Sequence, residues 1–148
     1  MFTGIVYHTQ QYSYANQVIT FAKCGFWDDV VIGESIAVNG VCLTVVTNTQ
    51  TEVTFFVATE TLSLSNLGVS GVANLERSFK CGERNSGHYV SGHVHGTAVI
   101  RSVITHSGGE RDLWFDCDTA GVIYKDSIAV NGVSLTVARI DSDGFMVC

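Results

Sequence analysis

The chain has 148 residues, 46% of them apolar and only 15% charged, with a net charge of -6. That composition argues for a packed core and excludes a disordered chain, while the acidic balance excludes a basic face for nucleic acid. The length fits one ordinary domain or two very small ones.

In chain order, the first clear element is residues 34–45, ESIAVNGVCLTV, two short β-prone runs around an Asn-Gly dipeptide favoured at type I′ hairpins. Val53–Val57 follows as a further β run, and Glu60–Asn66 has the look of a short helical turn. A glycine-rich stretch, NSGHYVSGH (85–93), then separates the halves. Beyond it, Gly96–Val103 and Leu113–Asp116 read as strands and Thr119–Tyr124 as a second helical turn. Residues 126–137, DSIAVNGVSLTV, repeat the first hairpin at an offset of 92, with ten of twelve positions identical. An internal duplication is the reading that follows.

The differences within the repeat are Glu34 against Asp126 and Cys42 against Ser134. The same offset lays Met-Phe-Thr-Gly (1–4) over His-Val-His-Gly (93–96). Two units are expected, an N-terminal one over 1–90 and a C-terminal one over 91–148. The fold class expected is all-β, two tandem Greek-key barrels. Cys148 corresponds to position 56 of the first copy, so the second barrel is expected to be incomplete and to leave a sheet edge open.

No apolar run reaches the roughly 20 residues that cross a bilayer, and the start lacks the basic and apolar segments of a signal peptide. A cytoplasmic location is expected. Cys24, Cys42, Cys81, Cys117 and Cys148 are odd in number, scattered and without a CxxC pair, which suits reduced thiols better than a disulfide framework. Proline is absent, so Gly, Asn, Asp and Ser must make the turns.

The start MFTGIV, the two NG(V)(C/S)LTV hairpins, ETLSLSNLG (60–68), NLER (74–77) and SGHYVSGH (86–93) together resemble riboflavin synthase and its relatives among the lumazine proteins. The resemblance covers essentially the whole chain. It implies two six-stranded barrels, here with the second incomplete, and a C-terminal helix through which subunits form a homotrimer. It also implies the dismutation of two 6,7-dimethyl-8-ribityllumazine molecules. A four-carbon unit passes from one to the other, giving riboflavin and a ribitylamino-pyrimidinedione, with no metal or redox cofactor. Neither nucleic acid nor membrane is an expected partner. The alternative is a non-catalytic lumazine or flavin carrier, favoured by the shortened second copy.

By the same resemblance, Cys42 and Ser134 contact the two lumazines, either assisting nucleophilic addition or hydrogen-bonding the ring. The bland alternative is a pair of small strand residues. Thr44 and Thr136 share their faces and suit a pteridine edge, as β-propensity alone would also explain. His93 is the expected catalytic histidine, an imidazole being suited to proton transfer at neutral pH, whereas His88 reads as structural. Phe2, Thr3, Ser35, Glu60, Thr61 and Lys125 complete the expected substrate contacts. Asn131 departs from the acidic residue usual at its place. His93 and His95 form an HxH that Cys81 or His88 would have to complete as a metal site, a spacing that fits no established signature.

Overall fold

The computed structural model describes residues 1–148. The first copy forms β1 (His8–Ala15), β2 (Val18–Ala22), β3 (Ser35–Val38), β4 (Val41–Asn48), β5 (Glu52–Phe56) and β6 (Gly71–Arg77). These strands close into a barrel in the order β1-β2-β5-β4-β3-β6, every neighbour antiparallel. Alternation decides what faces inward: along β4, Val41, Leu43 and Val45 are buried while Cys42, Thr44 and Val46 lie on the outer face. Trp27, Phe21 and Phe55 fill the interior, with Phe21 and Phe55 meeting edge-on at 6.0 Å.

The second copy forms β7 (Val99–Thr105), β8 (Arg111–Asp116), β9 (Ser127–Val130), β10 (Val133–Ile140) and β11 (Gly144–Val147). They make an open sheet in the order β7-β8-β11-β10-β9, the barrel order with its sixth strand missing. β9 and β10 fall 92 residues after β3 and β4 to the residue. The core here is small, with Phe115 stacked on Phe145 at 5.2 Å beside Val137 and Val147.

Both hairpin turns are built as the sequence reading expects. Asn39 and Gly40 have φ of 50° and 82°, and Asn131 and Gly132 have 48° and 83°, so both central residues are left-handed. The first helical turn is α1 (Thr59–Ser63), shorter than the expected Glu60–Asn66; it closes at Leu64, whose N–H donates to Thr61 O and whose backbone leaves the helical region. The second, at Thr119–Tyr124, is not a helix. Two turns replace it, closed by Val122 N–H to Thr119 O and Asp126 N–H to Ile123 O, with Gly121 at φ 83° breaking any helical run.

The halves meet turn to turn. A Cβ on Gly40 would lie 2.7 Å from the Gly132 nitrogen, and one on Gly132 3.0 Å from the Gly40 nitrogen. Asn66 joins the turns by accepting from Asn39 and donating to Asn131, and Asn74 donates to the Asn131 carbonyl.

Candidate functional site

Beside the paired turns, the first residues of the chain lie antiparallel to the linker. Phe2 and Val90 exchange both backbone hydrogen bonds, at 2.8 and 3.0 Å. Each side of this ribbon crosses to the opposite copy: Ser134 N–H donates to Gly4 O at 2.9 Å, and Cys42 N–H donates to Gly92 O at 2.8 Å. The two hairpins are thus related by a pseudo-twofold axis. Only glycine fits at the crossings, since a Cβ at Gly4 would lie 2.3 Å from Ser134 Cβ and one at Gly92 2.7 Å from Cys42 Cβ.

The symmetry corrects one expectation. The offset of 92 lays Thr3-Gly4 over His95-Gly96, but the pseudo-twofold that exchanges the hairpins carries Phe2, Thr3 and Gly4 onto Val90, Ser91 and Gly92. Six residues connect Gly92 to β7 against three between Gly4 and β1, and His93 and His95 lie in that longer connection.

Two clefts flank the axis. The first, of about 160 Å³, is walled by Val41, Cys42, Gly92, His93 and Val94, with Glu60, Thr61 and Leu64 of the α1 region on its far side. The second, of about 470 Å³, is walled by Val133, Ser134, Gly4, Ile5 and Val6, with Ser86, Gly87 and His88 opposite. The first five residues of each set are symmetry mates. The remaining three are not, so the clefts share a floor and differ in what faces it.

That difference places distinct chemistry in each. His88 Nδ1 lies 3.0 Å from Ser134 Oγ, and the same hydroxyl lies 3.1 Å from Thr3 O. One hydroxyl proton has two acceptors, so the imidazole tautomer sets its direction. With Nδ1 unprotonated the serine donates to the histidine; with Nδ1 protonated the histidine donates and the serine turns to Thr3 O. Cys42 has no histidine in the mirrored position. Its cleft holds His93 and the Glu60 carboxylate, both exposed.

The other expected residues are spread more widely. Thr3 is buried, its amide at 2.6 Å and its hydroxyl at 2.7 Å from Glu76 Oε1, while Gly4 N–H donates to Oε2 at 3.0 Å. Phe2 is 1% exposed and packs behind Gly92, supporting a cleft wall without lining it. Ser35 pairs with Thr44 across β3 and β4, on the outer barrel face with Cys42. Thr136 is likewise exposed on the second sheet, and Lys125 is exposed with its ammonium 5.5 Å over the Tyr124 ring. None of Ser35, Thr44, Lys125 and Thr136 lines either cleft. His88, His93, His95 and Cys81 are not gathered into a ligand set. Sequence reading missed the His88 contact with Ser134 and the buried Glu76, although the repeated hydroxyl-glycine pairs Thr3-Gly4 and Ser91-Gly92 marked the ribbon.

Comparison with known proteins returns a consistent group. The lumazine-binding domain model matches residues 3–78 and again 91–148. Riboflavin synthase of Bacillus subtilis (strain 168) is 40% identical over 153 residues, covering 97% of this chain and 71% of that protein. Riboflavin synthase of Actinobacillus pleuropneumoniae is 34% identical over 160 residues, covering 99% of this chain and 73% of its own length. The crystal structure of LumP complexed with 6,7-dimethyl-8-(1'-D-ribityl) lumazine superposes with a TM-score of 0.78 at 22% identity, covering 99% of this chain and 84% of LumP.

Proposed function

Because the chain belongs to the lumazine-binding family that contains riboflavin synthase, we propose that it is a riboflavin synthase whose twin clefts each hold one 6,7-dimethyl-8-ribityllumazine. The reaction moves a four-carbon unit between two identical molecules, leaving riboflavin and the ribitylamino-pyrimidinedione. Two identical substrates call for two related cradles, and duplication supplies them. Holding the reactants in place removes translational and rotational freedom beforehand, worth at most about 7–11 kcal/mol.

The observation that carries the reading is a common floor with unlike dressing. Equivalent substrates must do opposite things: one loses a proton from its 7-methyl group, and the other accepts a nucleophile. Ser134 with His88 at 3.0 Å suits proton transfer coupled to addition, and Cys42 with His93 and Glu60 suits binding and a second proton transfer. Thr3 supports the first pair through its carbonyl, and Thr61 faces the polyol-binding side of the other cleft. Ser35, Thr44, Lys125 and Thr136 lie outside both clefts, on surfaces that a neighbouring subunit of a homotrimer would cover. With units of 1–90 and 91–148, each cleft floor draws its hairpin residues from one unit and its ribbon residues from the other. Five free cysteines support a reducing, cytoplasmic setting.

A carrier that binds without turnover is the second reading, favoured by the width of the Ser134 cleft, which at about 470 Å³, against about 160 Å³ beside Cys42, holds a ring less closely. Incubation with dimethyl-ribityllumazine separates the two. Loss of lumazine fluorescence with appearance of riboflavin supports the enzyme, and replacement of His88 by alanine should then lower kcat at least tenfold with KM little changed. A spectral shift without riboflavin supports the carrier.

A further inference from the structure

Glu76, on β6, is buried and forms no salt bridge. Burying a charge without an opposite charge is costly unless hydrogen bonds compensate it. Three donors do so: the Thr3 amide and hydroxyl on Oε1 at 2.6 and 2.7 Å, and the Gly4 amide on Oε2 at 3.0 Å. Both oxygens accept, as those of an ionised carboxylate do.

The Gly4 N–H is one end of a peptide unit whose other end is Thr3 O. Amide resonance joins the two ends, so a carboxylate on the N–H draws electron density onto the carbonyl oxygen. Hydrogen bonds along such a chain strengthen one another, and a charged end strengthens them further. Thr3 O is the atom on which the Ser134–His88 pair converges. It accepts the Ser134 hydroxyl at 3.1 Å and the His88 backbone N–H at 2.9 Å.

The Ser134 proton has two acceptors, Thr3 O and His88 Nδ1 at 3.0 Å. A more basic Thr3 O decides between them. Ser134 then turns its lone pairs to the imidazole, and Nδ1 must carry hydrogen to meet them. Nε2 is left bare. It makes no hydrogen bond within the chain, and His88 stands exposed on the cleft wall.

We propose that Glu76 is a positioning residue for the Ser134 cleft, acting through the Thr3–Gly4 peptide to hold His88 as the Nδ1–H tautomer with Nε2 as its proton-accepting atom. Ser134 is thereby an acceptor for the imidazole and not a nucleophile. With lumazine as the occupant this rests on the synthase reading, whereas the tautomer itself does not.

Nitrogen NMR of the full chain carrying isotope-labelled histidine reads the tautomer from the two ring nitrogens, at a pH where the imidazole is neutral. For His88, Nδ1–H should exceed Nε2–H at least about threefold, the reverse of an unconstrained imidazole, because the charged relay favours it. Glu76→Gln, measured in concentrated sucrose to favour the compact state, should lower that ratio at least about threefold as the charge is lost. Ser134→Ala removes only the acceptor of Nδ1–H and should return His88 to Nε2–H. A majority of Nε2–H in the unaltered protein would overturn the proposal, as would an unchanged ratio in the glutamine variant. Retention of Nδ1–H in Ser134→Ala would do the same even where the glutamine variant does not fold, since the tautomer would owe nothing to the relay. Riboflavin formation is assayed alongside. A protein that shows the tautomer and its dependence on Glu76 but forms no riboflavin upholds the relay and refutes the synthase reading. One that forms riboflavin with His88 as Nε2–H does the reverse.

Discussion

Replacement of Glu76 by glutamine tests how the ribbon is held at the site. Glu76 is 3% exposed and accepts from the Thr3 amide, the Thr3 hydroxyl and the Gly4 amide at 2.6, 2.7 and 3.0 Å. A glutamine oxygen can still serve Thr3. Its amino group then faces the Gly4 N–H, donor against donor, and the charge that strengthened all three bonds is gone. An unsatisfied buried donor costs about 1–3 kcal/mol, and bonds to a charged group are worth about 1.5–3 kcal/mol. The expected loss is about 2–4 kcal/mol, a large share of the roughly 5–15 kcal/mol that holds a domain folded. Urea unfolding should show it as a lower midpoint with an unchanged slope. Gly4, Ile5 and Val6 wall the Ser134 cleft, so lumazine titration should weaken there before the Cys42 cleft responds. A loss below about 0.5 kcal/mol, within the range of an ordinary surface change, would refute the view that the buried carboxylate organises the ribbon.

Gly92→Ala should cost at least about 1–2 kcal/mol from its left-handed backbone alone. Further loss comes from a Cβ 2.7 Å from Cys42 Cβ and 2.9 Å from the Phe2 ring; thermal melting and lumazine affinity read both effects. Cys42→Ser should keep ligand affinity within about threefold, because it recreates Ser134 and leaves the Cys42 amide bond to Gly92 O intact. A total loss of binding by fluorescence titration would contradict the equivalence of the clefts. Hydrogen bonding from the Asp143 amide, with Arg101 beside it, holds the Asp141 carboxyl below its ordinary 3.8. Its contribution is therefore complete above pH 3.8 and is lost as pH falls through the depressed value, and exchange of the β10–β11 turn amides should quicken in that window.

Legibility in the sequence follows from how local each feature is. The hairpins were readable because Asn-Gly fixes a turn within two residues and alternation fixes the face within four. The repeat made the second hairpin readable from the first. The ribbon was not readable in register, since a contact between Gly4 and Ser134 spans the chain and only the packed backbone shows that Gly92, and not Gly96, is its mate. Thr119–Tyr124 reads as a helical turn from sequence, but the left-handed backbone of Gly121 decides the local path, and a glycine's φ is not written in its neighbours.

His88 shows the limit most clearly. In sequence it is one of two histidines in SGHYVSGH, and titration range alone favours neither. The ribbon settles which one meets a hydroxyl: His88 N–H donates to Thr3 O, anchoring its backbone so that Nδ1 reaches Ser134 Oγ. Cys42, the mate of Ser134, has no imidazole at hydrogen-bonding distance, so the imidazole–hydroxyl contact exists at one cleft only. The duplication makes the clefts alike, and the linker that joins the copies makes them differ. Two copies of one substrate can therefore be bound by one pattern and yet meet different acid–base groups, as a dismutation between identical molecules requires.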